Sequence, residues 1–444
     1  MLIGEIAHYV AAQRNMELPE AVEWHARRAL LDWLAALYPG TQLDPNPKLR
    51  AVFQDIASNG PCRVLGSEMM TDVRHAALLN GASSHTSEFD DIYKEGTMHP
   101  GSATIAAALA VADMVDADMQ MLLRAITAGY EVCTRLSEAM GRTHYAFWHS
   151  TATMSSFGAA AAAALLLGLD KDQTAHALAT VGTMAAGLQQ AFRADAMSKP
   201  LHAGHAADVG VLAALSARQG VTGALDILEG PAGMGVAMSR DVDWSIATKG
   251  LGQDFNIEKI TFKNHGCCGH TFAAIDAALI VKAEHKISIE DIIKVEVGTY
   301  APALAITDKL SPTTVYEAKF SLQYTLAHAL LYGAVRLDAF TPERLADERI
   351  HELASKVVLN IDPEIDQQFP HKRAARVTLT MKDGQQYTQF QPHRKGDPEW
   401  PLTDQDLSDK FHELSRTVLC SSQQKDLENQ IWSSNNLPVR SLNL

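Results

Sequence analysis

The chain has 444 residues, of which 47% are hydrophobic and 20% are charged, so a large core is expected and intrinsic disorder is excluded. The formal net charge is −14 without a long basic run, which argues against nucleic acid and against an anionic membrane surface as partners. This length predicts two or three domains.

The cysteines and the N-terminus indicate the cellular compartment. Five cysteines, an odd number without regular spacing, do not suggest a disulfide framework and predict a reducing compartment. Residues 1–8 lack the basic segment of a signal peptide. The longest uncharged apolar run, residues 154–169, falls short of a membrane span. We therefore expect a cytoplasmic protein.

Helical spacing of apolar residues dominates the first half of the chain. Two helices are predicted within residues 1–40, the second from near Pro19 to Pro39-Gly40. Their successors are predicted at about 72–84, 101–115, 118–141, 151–168, 171–190, 203–219 and 222–229. Many Ala, Gly and Met residues permit close helix contacts, so this half is predicted to form a compact helical bundle.

The apolar period changes after about residue 256. Residues 257–262 and 294–300 alternate like strands. Two further alternating segments, 375–381 and 386–390, flank a turn and predict a hairpin. Helices are predicted between the strands, at about 270–285 and 319–333.

Residues 402–435 are helical again and are predicted to return to the first domain. The fold class that follows is mostly α with an α+β second domain. Both chain ends, residues 1–256 and 400–444, are predicted to form a large all-helical bundle domain. Residues 257–399 are predicted to form the smaller α+β domain.

The densest group of ionisable side chains lies just before the predicted helix at 101–115. It comprises His85, Glu88, Asp90 and Asp91 within seven residues, followed by His99 ahead of Pro100. We expect an apolar helix to end near Gly81 and this group to lie in the loop that follows, a common setting for catalytic residues. A turn-and-cap cluster is the alternative, and the histidine pair favours function.

A second candidate region bridges two predicted helices at residues 142–151. It contains Tyr145 and His149 and ends at Ser150, where a helix begins. The first backbone N–H groups of that helix are suited to bind a carboxylate. An ordinary capped loop is the alternative.

A third candidate region begins at Lys199, which precedes a proline that disfavours helical conformation at the lysine. His202 and His205 follow on one helix face. Lys199 is a candidate carboxylate anchor, or a base if it is desolvated. The alternative is a solvated lysine at a helix start.

Two further regions lie in the predicted second domain. The adjacent Cys267 and Cys268 lack the spacing of a structural zinc site, so we predict no metal there and expect polar side chains facing a cleft. Tyr324, at the start of a predicted helix, either donates a proton or packs, and helical periodicity alone favours packing.

Motifs for nucleotides, flavins, zinc proteases and serine hydrolases are missing from the sequence. What remains is a set of histidines, carboxylates, lysines and tyrosines. That set is typical of proton transfer without a cofactor, and we expect no cofactor.

Taken together and in order, the candidate regions resemble the MmgE/PrpD family, which includes 2-methylcitrate dehydratase, cis-aconitate decarboxylase and iminodisuccinate epimerase. The resemblance covers most of the chain, from about residue 3 to 440. The matching motifs are Phe89-Asp90-Asp91…His99-Pro100, Trp148-His149-Ser150-Thr151, Lys199-Pro200-Leu201-His202-Ala203-Gly204, Lys263…Cys267-Cys268…Asp276 and Ala318-Lys319-Phe320-Ser321…Tyr324.

The resemblance implies a helical domain, a smaller α/β lid domain, an active site in the cleft between them, no metal in most members, and a homodimer. It places His99, His149, Lys199 and Tyr324 at active-site positions. It assigns Asp90 and Asp91 to an acidic loop, and Lys263 and Cys268 to the lid side of the site.

The chain departs from relatives that resemble the decarboxylase at three places. Glu88 stands where they carry an aspartate, and Cys268 stands where they carry a histidine. The acidic loop is one residue longer before His99. These differences make cis-aconitate decarboxylation the least expected of the three activities.

Three functions of different classes follow. The first is a hydro-lyase resembling 2-methylcitrate dehydratase, the second is an epimerase, and the third is a non-catalytic carboxylate-binding protein. In either enzyme, a histidine would remove a proton α to a carboxylate of a small di- or tricarboxylate. Lys199, Lys263 and the backbone after Ser150 would hold carboxylates. Tyr145, Tyr324 or a histidine would act as the second acid.

Overall fold

The computed structural model describes residues 1–56, 58–193, 196–369, 371–433 and 435–444 of the chain. The chain divides into two compact units, Met1–Thr261 with Thr403–Leu444, and Phe262–Leu402. The mostly α fold with a smaller α+β part is confirmed.

The first unit is built from helices, with one short antiparallel ladder between β1 (Cys62–Arg63) and β2 (Met70–Thr71). Its helices in the first part of the chain are α1 (Leu2–Gln13), α2 (Glu20–Gln42), α3 (Asn46–Gln54), α4 (Val73–Thr86), α5 (Pro100–Val115), α6 (Met119–Met140), α7 (Arg142–Tyr145), α8 (Ser150–Leu167), α9 (Lys171–Gly182), α10 (Gln190–Arg193), α11 (Lys199–Arg218), α12 (Met234–Met238) and α13 (Ser245–Thr248).

Glycines allow α4 and α11 to touch backbone to backbone. A Cβ atom on Gly204 would lie 2.6 Å from the carbonyl oxygen of Leu78, and one on Gly81 would lie 3.0 Å from that of Ala203. Real Cβ atoms do not approach so closely, so larger residues would separate the helices. This contact sets the C-terminal turn of α4 beside the N-terminal turn of α11.

Helix α8 runs through the middle of the first unit. It is long and apolar enough to cross a membrane by length and composition, yet 94% of it is buried inside the protein. Its alanines, from Ala159 to Ala164, are all fully buried. Burial on every side identifies α8 as a core helix of the bundle.

The second unit is an α+β structure. Its helices are α14 (Phe272–His285), α15 (Ala301–Thr307), α16 (Val315–Lys319), α17 (Leu322–Tyr332), α18 (Pro342–Leu345), α19 (Glu348–Ser355) and α20 (Pro363–Asp366). Its strands are β3 (Ile292–Thr299), β4 (Val357–Ile361), β5 (Ala375–Met381) and β6 (Gln386–Gln391). The chain then returns to the first unit as α21 (Asp404–Ser415) and α22 (Ser421–Ser433).

The four strands of the second unit form one sheet in the order β4-β3-β5-β6. Strands β3 and β4 are parallel, and the other pairs are antiparallel. Alternate residues of β5 are buried, as expected for a sheet with one face on the core. The buried face packs with α14 and α17 into the unit's hydrophobic core.

Several predicted elements are confirmed, and others need correction. The hairpin at 375–391 forms as predicted. Residues 257–262 are not a strand, because Asn256–Lys259 form a 3-10 turn and Thr261 forms an isolated antiparallel bridge with Ile92, in the first unit. The unit boundaries therefore lie at 261/262 and 402/403, a few residues beyond the predicted ones.

Two predicted helix ends and one predicted helix in the first unit need correction. Helix α2 continues through Pro39 to Gln42, where packing of a nearly continuous buried segment outweighs the proline. Helix α4 extends past Gly81 to Thr86, so His85 lies in its last turn and not in a loop. Residues 222–229 form turns and not a helix.

Candidate active site

Four histidines from different parts of the first unit meet in one cluster. His85 ends α4, His99 and His149 precede the first residues of α5 and α8, and His202 lies in the first turn of α11. The centroid of the His85 ring lies 5.1 Å from the centroid of the His99 ring and 5.5 Å from that of the His149 ring. The rings of His149 and His202 are 5.2 Å apart. We call these residues the histidine cluster.

Asp90 is buried behind two rings of the histidine cluster. Its Oδ2 atom accepts hydrogen bonds from His85 Nδ1 at 2.6 Å and from the Ser102 hydroxyl at 2.7 Å. The same oxygen lies 3.3 Å from Nδ1 of His99. One carboxylate therefore lies against two imidazoles and orients both rings.

The tautomer of His99 follows from its partner. Nδ1 of His99 lies 2.7 Å from the backbone carbonyl oxygen of Asp91. A carbonyl oxygen only accepts, so Nδ1 carries a hydrogen, and in the neutral ring the lone pair is then on Nε2. The His99 side chain is 18% exposed, whereas that of His85 is fully buried. A neutral His99 would therefore present Nε2 as a general base.

Asp91 fixes the loop that carries His99. Its carboxylate accepts hydrogen bonds from the Gly101 backbone at 3.1 Å and from the Tyr130 hydroxyl at 2.7 Å. A Cβ atom on Gly101 would lie 2.5 Å from that hydroxyl, so the pairing depends on glycine. Burial raises the pKa of Asp91 to about 7.

We predicted from the sequence that Asp90 and Asp91 bind substrate, and this role stays a prediction. Both side chains are buried, and the partners described above are protein groups. The Asp90 carboxylate contacts the rings of His85 and His99, and the Asp91 carboxylate holds the loop that carries His99. The sequence placed them correctly in the acidic loop but could not show the direction of the side chains.

Lys199, the first residue of α11, forms an ion pair with Glu88. The side chains are 10% and 12% exposed, so water screens the pair only weakly. Glu88 has a φ angle of 66°, in the left-handed region that residues with side chains rarely adopt. The acidic loop is thus shaped to bring a carboxylate to Lys199.

His149 and His202 share a hydrogen bond between their Nδ1 atoms, which lie 3.0 Å apart. Burial, together with the nearby His85 and Lys199, lowers the pKa of His149 well below its usual value and that of His202 to about 4. Both rings are therefore neutral near pH 7, and a single hydrogen lies between the two Nδ1 atoms.

The other predicted residues of the first unit lie at the ends of two short connections. Ser150 is the buried first residue of α8, directly after His149. Tyr145 is half-buried at the end of α7. The structure thus places His99, His149, Lys199 and Ser150 within the same helical unit.

Lys263, Cys268 and Tyr324 lie in the second unit. Lys263 is buried, and Cys268 is half-buried with its backbone N–H donated to Lys319. Tyr324 is fully buried in the hydrophobic core, and its hydroxyl donates to the carbonyl oxygen of Ala339 at 2.6 Å. This position favours packing, and a catalytic role for Tyr324 stays a prediction.

Sequence reasoning assigned no role to His85, Ser102, Tyr130 and His202. His85 and His202 stood inside the candidate motifs, so their residue type was a usable signal. Ser102 and Tyr130 are helix-interior residues with no sequence signal of their own. Only the packing of α5 and α6 brings them to the acidic loop.

The metal-ligating atoms of His85, Asp90 and His99 lie within 4.8 Å of one another. The Asp90 oxygen is already 2.6 Å from His85 and 2.7 Å from Ser102, which are hydrogen-bond distances. A metal ion would have to replace these bonds. The group therefore fits a hydrogen-bonded network better than a metal site, and independence from metal remains a prediction.

Comparison with known proteins agrees with this architecture. Residues 4–247 match the MmgE/PrpD N-terminal domain, and residues 265–436 match the MmgE/PrpD C-terminal domain. Together these matches cover most of the chain, including both units.

Curated relatives of two kinds are similar to the chain. A cis-aconitate decarboxylase-like protein of Aspergillus oryzae is 26% identical over 97% of this chain and 94% of its own length. The cis-aconitate decarboxylase of Homo sapiens is 29% identical over 90% and 85%. The 2-methylcitrate dehydratase of Salmonella typhimurium is 24% identical over 83% and 76%. These names give no support for ranking decarboxylation last.

Proposed function

Because the chain belongs to the MmgE/PrpD family, we propose that it is a lyase that moves a proton α to a carboxylate of a small di- or tricarboxylate. The observation that carries this proposal is the state of His99. Its Nδ1–H donates to the Asp91 carbonyl oxygen, so the neutral ring has its lone pair on Nε2, the atom that we propose as the base. Asp90 lies beside the ring, where it stabilises the imidazolium that forms.

The first step is removal of the proton by Nε2 of His99. The proton is only weakly acidic, so the negative charge that develops on the substrate carboxylate must be stabilised. Lys199 supplies a cation at the start of α11, and the first N–H groups of α8 supply helix-terminal donors near His149. Glu88 holds the Lys199 ammonium in place for an incoming carboxylate.

Elimination of water is our first candidate for the second step, because of the departures at Glu88 and Cys268. The electron pair of the broken C–H bond forms the double bond, the C–O bond breaks, and an acid protonates the leaving hydroxyl to give water. His149 and Tyr145 are the candidate acids in the first unit. No cofactor is needed for this sequence.

Decarboxylation is the second candidate, and the names of the fungal and human relatives favour it. In that reaction no proton is removed first: a C–C bond to a carboxylate breaks, carbon dioxide leaves, and the electron pair on carbon takes one proton. The same carboxylate anchors and acid would serve.

One experiment separates the candidates. The protein is incubated in deuterated water with 2-methylcitrate, citrate, cis-aconitate and iminodisuccinate stereoisomers, and the products are followed by proton NMR. A new alkene with loss of the hydroxyl supports the hydro-lyase, and release of carbon dioxide supports the decarboxylase. Deuterium uptake with inversion alone would replace the lyase by an epimerase. Binding without any exchange would contradict an enzymatic function.

A further inference from the structure

The hydrogen bond between His149 and His202 joins two sites of different character. His149 is buried in the histidine cluster, with the His85 ring stacked beside it. His202 is half-buried and lines a cavity of about 600 Å³ together with Trp148, Leu188 and Ser198. The pair therefore connects a buried imidazole to a space large enough for many water molecules.

Backbone contacts of the Gly187 segment hold His149 and His202 next to each other. The backbone N–H of His149 donates to the carbonyl oxygen of Gly187 at 2.9 Å, which fixes the residue at the N-terminus of α8. A Cβ atom on Gly187 would lie 2.3 Å from the Cβ of Ala152 and 3.3 Å from the His202 ring. Glycine at 187 thus lets the Gly187 segment lie against both α8 and His202.

We infer that His149 and His202 form a proton relay between the candidate active site and the cavity, a role that rests on the proposed function. His202 is then a positioning and relay residue that acts through His149. The ligand at its outer end is water, and the substrate does not need to touch it.

The relay works with neutral rings. In one state His149 carries its hydrogen on Nε2, and His202 donates its Nδ1–H to Nδ1 of His149. Nε2 of His149 gives its proton to the leaving hydroxyl or to carbon. The Nδ1 hydrogen of His202 moves to His149, and water in the cavity protonates Nε2 of His202.

The proton count balances in this sequence. One proton leaves a water molecule in the cavity and one reaches the substrate, so hydroxide is left in the cavity and both rings end neutral in the opposite tautomers. After the product leaves, the proton that His99 took from the substrate passes through water to Nε2 of His149. The transfers then run in reverse, and Nε2 of His202 returns a proton to the hydroxide, which resets both rings and His99. Neither His149 nor His202 becomes an imidazolium in these transfers. This agrees with the lowered pKa of both rings, which burial and the nearby His85 and Lys199 cause.

His202→Gln tests the relay, because glutamine keeps a polar side chain but cannot pass a proton between two ring nitrogens. We expect turnover to fall by about one to two orders of magnitude, less than for a lost direct acid or base, with little change in KM. The solvent isotope effect on turnover should increase. In His202→Ala, free imidazole should restore activity from the cavity side.

His205→Gln is the matched control, since His205 lies on the same helix and contacts the carbonyl oxygen of Met184 instead of His149. Its turnover and isotope effect should equal those of the wild type. Loss of activity in His202→Gln without a change in isotope effect, and without rescue by imidazole, would assign His202 a structural role and overturn the relay. Unchanged turnover in His202→Gln would overturn it as well.

Nitrogen NMR of histidine-labelled protein tests the relay without any substrate. The wild type should show one Nδ1 hydrogen shared by two rings, and His202→Gln should abolish that signal while His205→Gln retains it. Two independent Nδ1 hydrogens, or none, would overturn the relay even if the wild type were shown to be a lyase. A shared hydrogen in a protein that converts none of the polycarboxylates would instead contradict the proposed function alone.

Discussion

Lys199 shows how one residue combines charge and position. It is a buried lysine at a helix start, paired with Glu88 in a strained backbone conformation. We expect Lys199→Ala to raise KM and to lower kcat together, because its charge binds the substrate carboxylate in the ground state and binds it more strongly as negative charge develops in the transition state. Steady-state kinetics on the converted polycarboxylate measure both constants.

Lys171→Ala is the matched control for Lys199→Ala. Lys171 is also the first residue of a helix, α9, but it is exposed. Its replacement should leave both kinetic constants unchanged. If Lys199→Ala behaved like Lys171→Ala, the carboxylate anchor would have to be another cation.

Asp91 predicts a dependence of stability on pH. Burial raises its pKa to about 7 in the folded protein, above the value near 4 of an unfolded aspartate. A raised pKa means that Asp91 contributes stability fully below about pH 4 and loses it as the pH rises through about 7. The wild type should therefore lose stability relative to Asp91→Asn across this window, with a slope of up to about 1.4 kcal/mol per pH unit.

Denaturant unfolding of both proteins at several pH values checks this expectation. Glu131, whose pKa burial also raises to about 7, remains in both proteins, so its contribution cancels in the difference. A difference in unfolding free energy that does not change between pH 4 and pH 7 would show that Asp91 has an ordinary pKa.

At the scale of elements, the contact between α4 and α11 positions the histidine cluster. Gly204→Ala would push a Cβ atom to 2.6 Å from the Leu78 carbonyl oxygen. We expect a loss of about 1 to 3 kcal/mol of stability, the usual cost of overpacking, together with lower activity as His85 and His202 move apart. Thermal unfolding and turnover are the measurements.

Gly4→Ala provides the control for that substitution. Gly4 is also within a helix, α1, but a Cβ atom there would have no neighbour within 4 Å. Alanine should be neutral or slightly stabilising at this position. If Gly204→Ala were equally neutral, the close helix contact would not determine the site.

Some elements could be predicted from local sequence, and others could not. The hairpin of β5 and β6 was predictable because alternating strands flank a turn containing Gly384, whose φ is 84°. The course of α2 through Pro39 was not, since burial in the bundle overrides the local preference of proline. The sequence analysis placed His85 in a loop, whereas it lies in the last turn of α4. Packing against α11 is again the reason, because it carries α4 beyond Gly81.

The same limit applies to the candidate site. The residue types His99, His149 and Lys199 could be named from motifs, because each precedes or begins a helix after a recognisable break. The partners that decide their chemistry could not. Ser102 and the Asp91 carbonyl come into range only when distant helices pack. Hence the identity of these site residues was predictable from the sequence, while the hydrogen-bond partner of His99 Nδ1 was not.

At the scale of the whole molecule, we predict a homodimer formed through the helical unit, as the family resemblance implies. Phe147 and Leu188 lie on adjacent segments of that unit and are 66% and 57% exposed. Light scattering at micromolar concentration should give about twice the chain mass of 48.2 kDa. Leu188→Asp should favour the monomer, since it places a charge in an apolar contact.

Val236→Asp is the control for Leu188→Asp. Val236 is 69% exposed on the same unit, and its replacement should leave the mass unchanged. A wild-type mass near that of one chain would contradict the dimer. A dimer unaffected by Leu188→Asp would place the contact on another face.

The central claim is that His99 removes a proton α to a substrate carboxylate, and solvent-deuterium exchange at that carbon tests it most directly. The wild type and His205→Gln should convert one of the candidate polycarboxylates at equal rates, and substrate recovered before completion should carry solvent deuterium at the carbon that loses the proton. His99→Gln should keep a normal unfolding temperature and lose exchange and turnover together, by about two to four orders of magnitude. If His99→Gln exchanged and turned over substrate like the wild type, His99 would be a structural histidine and the base would have to be His149 or Tyr145.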